Sequence, residues 1–158
     1  MPQIDVNIFD YASVSRATRT LDEYVADLIE KANTVCERLA SMGAVRASLD
    51  FARAIYNGTN DVSVTVEPID NGYAIHARGD AVLFIEFGSG AAYGYGHPEP
   101  EGYGPGTYPG KGHWDDPNGW WYGSHQHSYG NPPAAAMYHA KQEVLQEVQR
   151  IAEEVFRA

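Results

Sequence analysis

The chain is poor in cysteine: Cys36 is the only one in 158 residues. An intrachain disulfide is excluded, as expected of a chain made in a reducing cytoplasm, and the fold must rest on packing. Positive charge is also scarce. Lys and Arg number 11 against 21 Asp and Glu, for a formal charge of −10. A sequence-independent grip on nucleic acid needs a basic face, so the charge argues against that class. It does not exclude a surface past which DNA slides without sticking. No apolar run approaches the length of a membrane span. The opening "MPQIDVNIFDYAS" has no basic region followed by an apolar run, so no signal peptide is visible. No internal repeat is seen. What is present is a 44% hydrophobic composition, enough for a core in one domain covering residues 1–158.

Residues 1–19 read as an arm, with Ile4, Val6 and Ile8 alternating with polar residues as in a weak strand. Thr20-Leu21-Asp22-Glu23 fits a capping box, which predicts a helix start. Behind it Leu21, Val25, Leu28, Ala32, Val35, Leu39 and Met42 recur at alternating four- and three-residue steps. This is one apolar seam, suited to packing on a sheet or against a neighbouring copy. Gly43 is a candidate stop or kink. "AVRASLDFARAIYNG" continues helically and ends at Asn57-Gly58.

Three strands are predicted next. Val62, Val64 and Val66 alternate with Ser63, Thr65 and Glu67. Tyr73, Ile75 and Ala77 alternate with Ala74, His76 and Arg78. "AVLFIEF" is apolar on both faces apart from Glu86, so it predicts a strand covered on both sides. A last helix follows "NPPAAAMYHA", with Asn131 as its cap, Met137, Val144, Val148, Ile151 and Val155 along its seam, and Glu153 and Arg157 as an (i, i+4) pair. The fold class expected is α+β. An antiparallel meander would be packed by a long N-terminal helix and a C-terminal helix, with helices and meander in 20–87 and the C-terminal helix in 132–158.

Between them lies an insert, residues 88–131. It holds most of the glycines, more than half of the prolines, about half of the tyrosines and all three tryptophans. A disordered segment should be poor in aromatics. Ordering so long a loop costs about 1–2 kcal/mol of backbone entropy per residue, which its aromatics alone do not repay. The insert is therefore expected to order against something else: the body of its own subunit, a neighbour or a partner protein. Gly88 and Gly90 would let the chain leave the third strand sharply. Glu86, Phe87, Gly88, Gly90, Tyr93, Tyr95, Tyr108, Trp114, Trp120, Trp121 and Tyr122 are the candidate interface residues.

Several residue clusters suggest chemistry. His125-x-His127 could seat a metal, with His97, His113 or Asp115-Asp116 completing the shell. The surrounding glycines offer nothing to hold such ligands in place, and no metal or cofactor is expected. Gly88-Ser89-Gly90 lacks the full nucleophile elbow and the helix after it, as well as the later glycine of a dinucleotide site. Cys36 sits beside an apolar seam and reads as core. Glu86 could be a general acid or base, but a rim carboxylate or a partner for Arg78 on the next strand is the favoured reading. No enzyme is expected. Trp114, Trp120, Trp121 and nearby tyrosines could stack on sugars, the alternative functional reading.

The stretch "ARAIYNGTNDVSVTVEPIDNGYAIHARGDAVLFIEFGSG" resembles the central part of the Hong Kong 97-type phage tail-component family. The resemblance lies in the small-residue helix ending in Tyr56-Asn57-Gly58, in "DVSVTVE" and "AIHARG", and in Phe84-Ile85-Glu86-Phe87-Gly88-Ser89-Gly90. The pieces Thr107 to Gly110 and Gly119 to Tyr122, and the alanine-rich Asn131 to Met137, are similar in kind to that family's variable loop and its return into a helix. The resemblance implies a siphophage virion protein of the head–tail junction, a neck or tail-completion ring of six or twelve subunits. Its partners would be the head-completion or connector protein and the tail tube or tail terminator. It implies no catalysis. A channel lined by an acidic chain would pass DNA without holding it.

Overall fold

The computed structural model describes residues 4–99, 116–122 and 126–157. Tyr108 and Trp114, with His113, Asp115 and His125, lie outside the described residues. The chain is α+β: a long N-terminal helix, two antiparallel strand pairs and a C-terminal helix.

Helix α1, Tyr11–Arg53, is one rod of 43 residues and about 65 Å. It starts earlier than the Thr20 capping box predicts. Asp10 has extended backbone, and its Oδ1 accepts the Ala12 amide at 3.0 Å. The Asn7 amide donates to Ser13 Oγ at 3.0 Å, so a hydrogen-bonded turn at Asn7 to Asp10 leads into the helix. Thr20 then lies inside it and donates its hydroxyl back to the Arg16 carbonyl at 3.1 Å, the usual habit of a mid-helix threonine. Much of the predicted arm is thus helical.

Gly43 does not stop α1. A Cβ there would fall 2.7 Å from Ile75 Cδ1 and 2.8 Å from Val144 Cγ2. The glycine serves close approach, letting a strand and the last helix press on one turn of α1. The helix ends at Arg53, ahead of the expected Asn57-Gly58, and Asn60 Nδ2 donates to the freed Phe51 carbonyl at 2.9 Å.

Strands β1, Ser63–Ile69, and β2, Gly72–Arg78, form an antiparallel hairpin. Val64 stands opposite Ala77 and Val66 opposite Ile75, so these four share the half-buried face. The alternation read from the sequence gives this face directly. On the other face Arg78 pairs with Glu67 at 2.6 Å.

The predicted third strand is a helix, α2, Val82–Glu86. The meander stops at two strands. Asp61 turns the chain by accepting the amides of Asp80 at 2.8 Å and Ala81 at 3.0 Å. These bonds hold its carboxyl below the usual Asp range, Ala81 contributing most. A short apolar run carries no period that separates strand from buried helix. Here the run is helical: Ala81, Ile85 and Phe87 are buried, while Val82, Leu83 and Phe84 are half-buried and Val82 and Leu83 face a cleft. Ala81 and Ile85 join Ala47, Phe51, Ala136 and Ala140 in the main core.

Helix α3, Ala136–Arg157, lies antiparallel on the second half of α1. Val35, Leu39 and Ile151 make a second core, flanked by Met42, Val144 and Val155. Arg46 meets Glu143 at 3.2 Å and Arg38 meets Glu154 at 2.7 Å, fixing the register. Glu153 pairs with Arg157 at 3.0 Å, as the spacing predicts. Beyond α3 the first half of α1 is little covered by the described residues: between Ala17 and Val35 it has no buried residue.

Candidate functional site

The two ends of the insert meet in a clamp. The Ser89 amide donates to the Asn131 carbonyl at 2.9 Å, the Asn131 amide returns to the Ser89 carbonyl at 3.2 Å, and the Ala91 amide reaches the Tyr129 carbonyl at 2.9 Å. Side chains lock this pairing. Asn131 Nδ2 donates to Ser89 Oγ at 3.0 Å, and Asn131 Oδ1 accepts the Asn57 amide at 2.9 Å. Both Asn131 and Ser89 are 1% exposed. Buried polar groups without partners would be costly, so each half of the clamp requires the other.

The glycines permit this approach. Gly90 has φ +60 and its Cβ would lie 2.3 Å from the Tyr129 carbonyl oxygen. Gly130 has φ +103 and would place a Cβ 1.9 Å from the Ser89 carbonyl oxygen. Gly88 and Gly90 do more than free the chain to turn: they let two backbones touch.

Glu86 is the polar centre of the clamp and is 5% exposed. It does not pair with Arg78, which belongs to Glu67. Its Oε2 accepts the Met137 amide at 2.9 Å and its Oε1 the Tyr138 amide at 3.2 Å. These are free amides in the first turn of α3. A carboxylate from another element therefore does the work of an N-cap and meets the positive end of the helix. Asn131, the predicted cap, is taken by Ser89 and Asn57 instead, and α3 starts five residues later. The Ile85 and Glu86 carbonyls also accept the amides of Ala134 and Ala135. Ala135 itself is held at φ 49, a left-handed conformation that the surrounding bonds must enforce.

His97 completes the group. Its Nδ1 accepts the Glu99 amide at 3.0 Å, which leaves Nε2–H to donate to Glu86 Oε1 at 3.3 Å. Phe87, also buried, stacks beside it with ring centres 4.5 Å apart. Glu86, Phe87, His97, Tyr138 and Lys141 line a cleft of about 340 Å³. The Glu86 oxygens are spent on two amides and an imidazole, an arrangement that holds parts together. Ser89 Oγ accepts from Asn131, and no imidazole or carboxylate among the described residues is set against it. Nor do three metal-ligating side chains come together among those residues.

Farther out the insert forms a small hairpin, β3, Trp120–Tyr122, and β4, Gln126–Ser128. Trp121 stands opposite His127 with ring centres 4.7 Å apart, and His127 meets Tyr129 at 4.5 Å. Trp121 is 65% exposed and Tyr95 85% exposed, so large aromatic surface faces solvent. Tyr93 and Trp120 are half-buried. Six of the candidate residues thus fall into two groups. Glu86, Phe87, Gly88 and Gly90 build the buried clamp, while Tyr95 and Trp121 are displayed beyond it.

The sequence reading takes Asn57 as a helix end and Asn131 as a helix cap, and it does not single out Tyr129, Gly130 or the clamping role of Asn57, Asn131 and His97. The available signal was the pairing of "GSG" at one end of the insert with "GN" at the other, short glycine and small polar stretches that can lie side by side. No helix among the described residues is long and apolar enough to cross a membrane. Compared with protein-family models, curated proteins and solved structures, the chain has no match in any of the three.

Proposed function

We propose that this chain is a structural protein of a bacteriophage virion, forming a neck, tail-completion or tail-terminator ring at the head–tail junction. Six or twelve copies would surround the DNA path and join the tail to the head connector. The chain would be made in the host bacterial cytoplasm and would act without a cofactor. The observation that carries this reading is the fate of the Phe84 to Gly90 motif, on which the family resemblance rests. Its residues clamp the base of an aromatic-rich insert to the start of α3, and beyond the clamp Tyr95, Trp121 and Tyr129 stand in solvent. A rigid base carrying an exposed adhesive surface suits contact between subunits or with a partner ring. The charge of −10 suits a channel that passes DNA without holding it. Negative-stain images of the purified chain at high concentration test the proposal. Closed rings of six or twelve are expected, and a uniform population of monomers would overturn it. Hydrogen exchange tests the insert: amides of residues 88–131 should gain protection on assembly.

The edge-to-face row Trp121–His127–Tyr129 favours a second reading, a carbohydrate-binding surface. Tryptophan fluorescence that shifts on titrating a monomeric sample with bacterial cell-wall sugar would support it.

A further inference from the structure

We propose that the uncovered half of the α1 seam docks on the outer apolar strip of α3 in a second copy of this chain. This rests on the reading of the protein as a self-assembling ring and assigns the surfaces that meet.

Leu21, Val25 and Ile29 are 51%, 52% and 56% exposed. Leu21 and Val25 continue the line of Val35 and Leu39, which α3 covers. Along that line α1 already accepts an apolar helix, so the open half suits another of the same kind. Among the described residues, α3 carries a second apolar strip beside the one turned to α1. Leu145, Val148 and Phe156 remain 60%, 40% and 45% exposed, while Ile151 points inward at 3%. Leu21 to Ala32 and Leu145 to Phe156 have the same length, about 17 Å along a helix.

Charge does not select this pairing, but the α3 strip presents no unpaired carboxylate against it. The open half of α1 carries Arg19, Asp22, Glu23, Asp27, Glu30 and Lys31, with Lys31 on Asp27 at 3.6 Å. The α3 strip is edged by the neutral Gln142 and Gln149, and the nearby Glu153 is held by Gln149 and Arg157. Glu143 and Glu154 lie on the other flank and are taken up by Arg46 and Arg38. An acidic helix can therefore approach the strip without meeting an unpaired carboxylate. One chain offers both surfaces on different elements. Such contacts are heterologous, and they close into a ring when the rotation between copies allows it.

Sedimentation velocity on the full chain tests the assignment, using L21E/V25E, L145E/V148E and an equimolar mixture of the two. All four positions are at least two-fifths exposed, so circular dichroism spectra, and melts at dilutions where the parent is monomeric, should match the parent chain. L145Q/V148Q serves as a milder version if the glutamates disturb α3. The parent chain should assemble and each variant should stay monomeric. The mixture should form dimers and nothing larger, because one intact pair of surfaces remains. If L145E/V148E assembles normally, for instance by pairing of two α1 helices, this inference falls and the ring reading stands. Monomeric variants whose mixture gives no dimer overturn it as well. A parent chain that stays monomeric overturns both readings.

Discussion

The two halves of α1 carry the same apolar repeat and meet opposite fates. In the second half Val35 and Leu39 are buried under Ile151 of α3. In the first half Leu21 and Val25 hold equivalent positions and remain about half exposed. Nothing in the repeat distinguishes them. The difference is the extent of α3, and α3 is set in place by Glu86 and the clamp. Periodicity states that a helix has something to bury; whether its own chain buries it depends on elements far away in sequence.

The largest expected effect comes from removing what positions α3. Gly130→Ala or Gly90→Ala forces a Cβ into the facing backbone at a positive φ. A loss of about 3 kcal/mol or more is expected, read as a fall in urea midpoint, with raised hydrogen exchange at the start of α3. If either variant keeps parent stability, the clamp does not hold the fold. The comparison itself is sharpened by one substitution on each side. Leu39→Ala should cost about 2–4 kcal/mol through the cavity it leaves. Leu21→Ala should change monomer stability by less than about 0.5 kcal/mol. Equal costs at the two sites would mean that the halves are not distinct in the monomer.

Glu86→Gln keeps the shape but replaces one acceptor with a donor facing the first turn of α3. A loss of about 1–3 kcal/mol is expected in denaturant titration. The smallest effect is with pH. The carboxyls of Asp61 and Glu154 are held below their usual ranges, by the Ala81 and Asp80 amides and by Arg38 and Arg150 respectively. A depressed native pKa gives stability that is present above the unfolded value and lost as pH falls through the native one. The melting temperature should therefore drop below about pH 4. Asp61→Asn should flatten part of that slope. A slope unchanged in this variant would remove Asp61 from the account.

Much of the scaffold was legible. The alternation of Val64 and Val66, and of Ile75 and Ala77, gave the hairpin and its inner face. The helical spacing of Val144, Ile151 and Val155 gave α3 its packing edge. The site was half legible: Glu86, Gly88 and Gly90 were marked by their setting, but their partners were not. Asn57 and Asn131 are 74 residues apart, and Glu86 and Met137 are 51 apart. No local pattern announces such pairs. The strand predicted at residues 81–87 failed because a short apolar run fits either backbone.

By itself, then, the sequence determined where apolar surface recurs, what period it follows, and that acid outweighs base. Those properties belong to each segment and survive any arrangement of the rest. Only the tertiary structure decided which half of the α1 seam is covered, that a carboxylate from α2 caps α3, and which aromatics are left in solvent. Each of these depends on two stretches of chain meeting in space, and their energies arise only from the contact.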